Sequence, residues 1–324
     1  MKDPDSRIIR EFNDRGLIWI LESTTNLRDL LRILSVEIAD SLDFDKAVRH
    51  NRSFIPEDLY KKEADMLYKV PFLEGGGHVI IYLLIEHQSA PDRIMGLRFF
   101  GYMAEIWGEQ LRLWQDIRSP KPPLTLNTII PILLYTGEEA WKTPVSLIPL
   151  MNLPSLLEDF VPQYKILSLQ LRSLSTEELT DTGSVFSWLL NTLKFSKAPF
   201  NELSEKIDLA VTALEKLHDS NIEEWKRGLR FLLLLIRHKR VKSERAPLFD
   251  QVSEAIDIHH RKEVADMILT DAQELMHEGE KLGLLKGREE GRQEGRQEGI
   301  MTGKWMGGVS FFFHSWNSNF NHSR

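Results

Sequence analysis

Cysteine is absent from the sequence, which has 324 residues. This absence excludes disulfide bonds, zinc sites built on thiolates and a cysteine nucleophile, and it is typical of a chain that works in a reducing cytoplasm. Long hydrophobic runs are absent too, since no apolar stretch approaches the roughly 20 residues that a membrane-spanning helix needs. The first residues contain acidic side chains and lack the apolar segment of a secretory signal. We therefore expect a cytoplasmic protein without a membrane partner.

An excess of positive charge is also lacking. Lysine and arginine number 41, against 48 aspartates and glutamates, which gives a formal net charge of −7. This balance argues against a protein that coats nucleic acid without specificity, so any contact with DNA must come from a local basic face. The densest basic cluster, residues 237–245, either contacts a phosphate backbone or marks the carboxyl end of a helix, where the helix dipole favours positive charge.

The sequence does contain an apolar hairpin that ends in polar residues. Residues 78–85, HVIIYLLI, form the pattern of a strand that is covered on both faces. A shorter and more mixed run, residues 66–70, precedes it. Three consecutive glycines, residues 75–77, lie between the two runs and supply the positive φ angles of a tight reversal. We therefore predict a β-hairpin that carries a site.

The register of this hairpin determines which polar side chains meet. If the chain reverses between the first two glycines, Asp65 lies opposite Glu86, and Glu63 lies opposite Gln88. Three carboxylates and an amide then share one face, where like charges destabilise the sheet unless they trap a proton or bind a cation. Oxygen ligands of this kind favour Mg²⁺ or Mn²⁺. The alternative is a sheet edge held by ion pairs to a neighbouring lysine, namely Lys61, Lys62 or Lys69.

Further elements are expected around this hairpin. An apolar stripe at helical spacing covers residues 27–42 and predicts a helix on one face of the sheet. Glu37 lies near that stripe and either approaches the site or remains a solvated helix residue. Residues 129–135 and 165–171 are predicted to be strands, with Pro131 marking a sheet edge or a bulge. Strand, helix and strand then form a crossover unit.

A helix is predicted to begin within about two residues of the site, because residues 89–92, SAPD, combine capping-box spacing with an early proline. Arg93 and Arg98 lie near its amino end. They either bind a phosphate together with the helix dipole, or they pair with Asp92 or with the site carboxylates.

Helical patterns replace strand patterns after a second capping-box spacing at residues 175–178. Four helices are predicted, with Pro199, Asn221 and Pro247 between them; they cover residues 185–195, 207–217, 225–236 and 252–275. From residue 279 to residue 307 glycine recurs at every fourth position, and arginines and glutamates repeat at the same interval. Such like-charge columns destabilise a lone helix, so this tail is either disordered or helical only when another chain covers its glycine stripe.

The segments EADMLYKV, HVIIYLLIEHQSAPDRIMGLRFFGYMAEIW and IIPILLYTGEEAW resemble the recombination-promoting nucleases, a bacterial family of transposase-like proteins in the PD-(D/E)XK nuclease superfamily. The resemblance is close over residues 14–171 and looser to about residue 303. It implies an α-β-β-β-α-β core in which Asp65 and Glu86 hold Mg²⁺ and the main-chain carbonyl of His87 adds a ligand. It also places Gln88 where the superfamily has a lysine.

The glutamine changes the chemistry that the resemblance implies. A lysine places positive charge beside the attacking water and the scissile phosphate, whereas Gln88 orients them by hydrogen bonds alone. The sequence also departs from the family at Asn13-Asp14, where a His-Asp pair often occurs, and in its final aromatic residues. Weak activity is one consequence, unless the metal or Arg98 compensates.

We therefore predict a metal-dependent DNA endonuclease of the α/β class, with a mixed sheet flanked by helices. One alternative is a catalytically weak or inactive DNA-binding recombination accessory on the same fold, and another is an oligomeric scaffold that functions through the glycine-rich tail. The predicted organisation is a nuclease-like domain over residues 1–174, an all-helical region over 175–276, a charged glycine-repeat tail over 277–308 that joins copies into a homo-oligomer, and a disordered end over 309–324.

Overall fold

The fold of the protein is described by a computed structural model. The structure describes residues 16–50, 65–75, 77–86, 91–142, 145–262, 264, 265 and 267. The chain divides into a compact unit, Met1–Arg261, and a second unit, Lys262–Arg324. Within the described residues no helix has the length and apolar character needed to cross a bilayer.

A single five-stranded sheet forms the centre of the first unit, with its strands in sequence order from one edge to the other. Neighbours β1 to β3 are antiparallel, whereas β3, β4 and β5 run parallel. The strands are β1 Val48–His50, β2 Asp65–Pro71, β3 His78–Glu86, β4 Thr128–Tyr135 and β5 Leu167–Gln170. The predicted hairpin, its strands and the mixed character of the sheet are thereby confirmed.

Eight α-helices with defined ends accompany the sheet in the described residues. They are α1 Thr24–Leu34, α2 Val36–Asp40, α3 Met95–Gln115, α4 Thr176–Thr180, α5 Val185–Lys194, α6 Phe200–Glu215, α7 Ile222–Lys239 and α8 Lys242–Ala255. Residues 16–21 are helical as well. Helix α1, strands β1 to β3, helix α3 and strand β4 follow one another in the order that the family resemblance implies.

The register of the hairpin differs from the predicted one by two residues. Asp65 pairs with Leu84, not with Glu86. The reversal is centred earlier because the amide of Phe72 donates to the carbonyl of Gly77 at 3.2 Å, and Gly77 adopts a φ of 88°. Side chains alternate with a period of two along a strand, so a shift of two residues leaves the same positions on each face.

The two faces of the sheet are covered by different helices. On one face Tyr82 packs between the rings of Phe99 and Tyr102 of α3, with ring centroids 5.6 Å and 5.2 Å away. On the other face the buried Tyr68 donates its hydroxyl to the carbonyl of Leu21 at 2.7 Å. Both faces of β3 are therefore buried, as its nearly continuous apolar sequence predicts.

Helix α1 joins the sheet to the helical region. Its leucines Leu27, Leu30 and Leu31 are fully buried. The amide of Asn26 donates to the carbonyl of Ile20 at 2.9 Å and to the carboxylate of Glu224 in α7 at 3.1 Å. The predicted cap at Ser175 is present with both of its reciprocal hydrogen bonds. Pro199 and Asn221 separate helices, as predicted, but α6 and α7 begin directly after them and thus earlier than the predicted residues 207 and 225.

Pro131 lies inside β4 at a locally open edge, because β5 pairs with β4 only from Ile132 onward, which is one of the two predicted alternatives. Three other local predictions are wrong. The helix predicted over 27–42 breaks at Ser35, which is extended. Pro247 lies inside α8, where its missing N–H removes a single intrahelical bond. The last predicted helix, 252–275, is interrupted after Ala255, because the extended Ile256 ends α8.

Candidate active site

The predicted site residues Asp65 and Glu86 occupy the ends of the two hairpin strands, next to the carboxyl ends of the parallel strands. Asp65 is the first residue of β2, and Glu86 is the last residue of β3. Since Asp65 pairs with Leu84, two residues before Glu86, positions 65 and 86 are diagonal neighbours on one face of the sheet. Diagonal pairs of this kind have Cα atoms about 7–8 Å apart. The structure therefore brings the two positions together, by a different register from the predicted one.

A row of polar residues continues from Glu86 across the sheet. Glu86 is in register with Tyr135, and Tyr135 is in register with Gln170. Gln170 accepts the amide of Trp141 at 3.0 Å and donates to the carbonyl of the same residue at 3.2 Å. The ring of Trp141 meets Tyr135 edge to face, with centroids 5.0 Å apart. These contacts fix the loop after β4 beside the predicted site.

A small cavity opens at this end of the sheet, and basic side chains border it. Its volume is about 120 Å³, and its lining includes Tyr135, Gln170, Arg172 and two loop glutamates. One of these, Glu138, pairs with Arg172 at 3.3 Å and with Lys197 at 2.6 Å. Arg172 and Lys197 also line a second cavity of about 340 Å³. The positively charged side chains of Arg172 and Lys197 thus lie close to the surface at the carboxyl ends of β4 and β5.

The start of α3 differs from the predicted one. The helix begins at Met95, so the cap predicted at residues 89–92 is wrong. The reason is an Asx-type turn, in which the carboxylate of Asp92 accepts the amide of Ile94 at 3.0 Å. The same carboxylate pairs with Arg98 at 3.2 Å, which is one of the two alternatives for that arginine. Arg93 is exposed at the same end of the helix.

Of the remaining predicted site residues, three are not described by the structure and one lies elsewhere. Glu63, His87 and Gln88 lie outside the described residues. Glu37 is exposed and accepts the hydroxyl of Ser35 at 3.3 Å. Its short helix leads into residues 41–43, whose backbone bonds to residues 71 and 73, beyond the end of β2 that carries Asp65. Glu37 therefore lies toward the opposite end of the sheet.

The basic cluster at residues 237–245 has a structural role at its centre. Arg240 is 9 % exposed and donates to the carbonyls of Ser196 and Ala198 at 3.1 Å and 2.7 Å. Burial, together with the positive charges of neighbouring residues, lowers the pKa of His238 to about 4. Three of its members end α7, where the helix dipole favours positive charge. The structural alternative therefore accounts for this cluster.

The donor set of positions 65 and 86 fits a hard divalent cation. Aspartate and glutamate offer oxygen ligands only, which is the ligand type that Mg²⁺ and Mn²⁺ prefer. Sequence reasoning missed Gln170, Arg172 and Lys197, because their position at the carboxyl ends of β4 and β5 depends on the parallel pairing of these strands and on the ion pairs of Glu138.

The comparison with protein families identifies the class of protein. The family described as "Putative transposase, YhgA-like" matches residues 14–220, and the chain belongs to this family. The matched range contains the whole sheet and helices α1 to α6. The predicted family is thereby confirmed.

Particular relatives have been named as nucleases. Recombination-promoting nuclease RpnC of Escherichia coli (strain K12) is 35 % identical over 121 residues, which cover 37 % of this chain and 37 % of the relative. Recombination-promoting nuclease RpnD of Escherichia coli O157:H7 is 32 % identical over 114 residues, 35 % of this chain and 40 % of the relative. The chain thus matches less than half of the length of either. No solved structure shows significant similarity.

A further relative has a different name. The "Putative inactive recombination-promoting nuclease-like protein YjiP" of Escherichia coli (strain K12) is 36 % identical over 76 residues. These cover 23 % of this chain and 72 % of the relative. Family membership alone therefore does not decide between a nuclease and an inactive accessory protein.

Proposed function

We propose that the protein is a Mg²⁺-dependent DNA endonuclease with a PD-(D/E)XK core. The observation that supports this most strongly is the hairpin register, which makes positions 65 and 86 diagonal neighbours at the carboxyl end of β3. Two carboxylates on neighbouring strands repel each other unless a cation or a proton lies between them. The names of the curated relatives favour a nuclease, and DNA is then the substrate.

The chemistry is hydrolysis of a phosphodiester bond. Mg²⁺, or Mn²⁺ in its place, would supply an activated water and would stabilise the negative charge that develops on the phosphate. Asp65 and Glu86 would hold the ion by their carboxylates, and the main-chain carbonyl of His87 would offer a further oxygen. Gln88 would orient the water and the phosphate by hydrogen bonds and would add no charge. Glu63 is a candidate for supporting the ion from the residues that precede β2.

The DNA backbone is proposed to follow the carboxyl ends of β4 and β5. Lys197 is about half exposed, and Arg172 is partly exposed beside it. Both contact the carboxylate of Glu138, which fixes the positions of the two positive charges. A phosphate that approaches from solvent competes with Glu138 for these charges. Arg93 offers a further exposed charge at the start of α3. Arg98 is committed to Asp92 and contributes by fixing the start of that helix.

The test is metal-dependent nicking of supercoiled plasmid by the Asp65→Ala and Glu86→Ala variants. Loss of either carboxylate leaves the ion with too few ligands, so we expect nicking to fall by on the order of a thousandfold or more. Folding should survive, because a repulsion is relieved in the metal-free protein. Gln88→Ala should reduce the rate by only about tenfold to a hundredfold, the range of a positioning group. Gln88→Lys should raise it.

Glu74→Ala is the matched control. Glu74 is an exposed carboxylate in the turn of the same hairpin, at the end away from Asp65, and its loss should leave nicking unchanged. Equal nicking by wild type and both site variants contradicts the proposal and favours a sheet edge held by lysines. Metal binding without nicking in the wild type supports the inactive accessory protein instead, which the name of YjiP makes the second candidate.

Self-association through the tail is a separate proposal. Glycine at every fourth position, with arginines and glutamates in like-charge columns, suits a helix that is stable only against other chains. Light scattering should give a larger molar mass for the full chain than for a version that ends at Leu275. Equal molar masses across a concentration series contradict the proposal, and nicking that depends on the tail but not on Asp65 supports the scaffold alternative.

A further inference from the structure

Two histidines far apart in sequence stack on each other in the helical region. His218 lies between α6 and α7, and His260 follows α8. Their ring centroids are 3.3 Å apart and their planes differ by 17°. Neutral imidazole is the form that binds a metal.

Each ring has a carboxylate at its Nδ1 atom. In His218 the partner is Asp219 at 3.0 Å, and in His260 it is Glu215 at 3.4 Å. A carboxylate that accepts the Nδ1 proton fixes the tautomer in which Nε2 carries the lone pair. The same carboxylate–histidine arrangement orients ligands in many metal sites. His260 is thus prepared to donate from Nε2, whereas Nδ1 of His218 and the carboxylate of Asp219 lie as close together as two ligands of one ion.

The carboxylate of Glu215 is itself held in place. It accepts the indole N–H of Trp225 at 2.9 Å and the backbone amide of Asp257 at 3.1 Å. Trp225 is fully buried, and its ring packs edge to face on His218 with centroids 4.9 Å apart. The histidine pair therefore packs against a buried indole and a carboxylate that is held in place. About a fifth of the surface of each histidine side chain remains exposed to solvent.

We propose that His218, His260 and Asp219 form a binding site for Zn²⁺ or a similar first-row transition metal. One ligand atom from each residue lies within 4.8 Å of the others. Ligand atoms of a tetrahedral zinc site are about 3.3 Å apart, given metal–nitrogen bonds of about 2.0–2.1 Å, so binding requires the two rings to rotate out of their stacked arrangement until their lone pairs meet at one ion. Imidazole nitrogens select this class of metal, whereas Mg²⁺ prefers the oxygen-only set at positions 65 and 86.

The location gives the metal a structural role. His218 and Asp219 belong to the connection from α6 to α7, and His260 belongs to the turn that follows α8. These segments are 42 residues apart in sequence, counted from residue 218 to residue 260. A shared ion ties them together, so binding should raise the temperature of unfolding. Cleavage chemistry is not required of this site.

The experiment is a titration of full-length protein, prepared without a polyhistidine tag, with Zn²⁺ and with Co²⁺. An Asp65→Ala background removes the proposed Mg²⁺ site, so the outcome does not depend on the nuclease proposal. We expect one equivalent to bind, a rise in the unfolding temperature and the visible absorption of tetrahedral Co²⁺. His218→Gln and His260→Gln should weaken binding by at least about a hundredfold, and Asp219→Asn by about tenfold.

His259→Gln is the matched control, because His259 is an exposed neighbour of His260 and lies outside the cluster. It should bind Zn²⁺ like the parent protein. The Asp219→Asn variant keeps the proposal testable if a histidine variant fails to fold. The Asp219 side chain is fully exposed, so its replacement removes no packing. The proposal is overturned if the parent binds no Zn²⁺, or if the control loses as much affinity as His260→Gln. Unchanged affinity in a folded Asp219→Asn protein removes that residue from the site.

Discussion

The two ends of the central sheet differ in both cavity size and chemistry. Where β4 and β5 begin, a cavity of about 520 Å³ is lined mainly by apolar side chains, among them Ile38, Met103 and Trp107. Where they end, the cavity has about 120 Å³ and is lined by Tyr135, Gln170, Arg172 and glutamates. The larger cavity reflects apolar side chains that do not fill the space between α3 and the sheet. Convergent charge and strand topology, not volume, indicate the candidate active site.

The charges at the two ends offer the sharpest way to test this difference. Arg172 and Lys197 lie at the carboxyl end, and Lys165 lines the apolar cavity at the other end. Each lost phosphate contact reduces the salt dependence of DNA binding by about 0.9 in the slope of log Kd against log salt. The Arg172→Gln, Lys197→Gln double variant should therefore lower the slope by about 2 and weaken binding. Fluorescence anisotropy over a salt series measures both quantities.

Lys165→Gln is the control for that measurement, since it removes one positive charge at the apolar end. It should leave the slope unchanged. If Lys165→Gln lowers the slope by as much as the loss of Arg172 or of Lys197 does, DNA does not distinguish the two ends of the sheet. The comparison between the cavities then carries no functional meaning.

A smaller effect is expected from two glycines of α3, the helix that covers the face carrying positions 65 and 86. A Cβ atom at Gly96 would lie 2.5 Å from the carbonyl oxygen of Ser146, whereas a Cβ at Gly101 meets no atom within 4 Å. Gly96→Ala should destabilise the protein by about 1–3 kcal/mol through overpacking. Gly101→Ala should stabilise it by up to about 1 kcal/mol, because alanine favours the helix.

Urea unfolding of the two alanine variants measures this contrast. Gly96 is in the first turn of α3, close to the candidate site, and its carbonyl accepts the hydroxyl of Tyr164. Nicking should therefore fall in Gly96→Ala and remain unchanged in Gly101→Ala. Equal stability of the two variants would show that the contact with Ser146 does not constrain this end of the helix.

Much of this fold is predictable from local sequence, because its strands and helices have strong periodic patterns. The apolar run of β3, the cap at Ser175 and the breaks between helices at Pro199 and Asn221 depend on nearest neighbours in sequence. The breaks at Ser35 and after Ala255 were not predictable in this way, because the apolar pattern continues through both. Backbone conformation at a single residue decides those ends.

The candidate site was predictable in composition but not in register. Asp65 and Glu86 follow from polar residues at the ends of an apolar hairpin. The pairing of these two residues was nevertheless wrong by two positions, because Asp65 pairs with Leu84. Three consecutive glycines permit several reversals, so their sequence alone does not select one. Gln170 and Arg172 join the site through parallel pairing of distant strands, which no local pattern contains.

The most direct test of the central claim is equilibrium binding of Mn²⁺ to the wild type, to Asp65→Ala, to Glu86→Ala and to the double variant. If the two carboxylates hold one ion, each single change removes most of the affinity and the double variant loses little more, because the effects of residues that act as a unit are not additive. Glu74→Ala should bind like the wild type. Unchanged affinity in both single variants, or equal and independent losses that add in the double variant, would contradict the account.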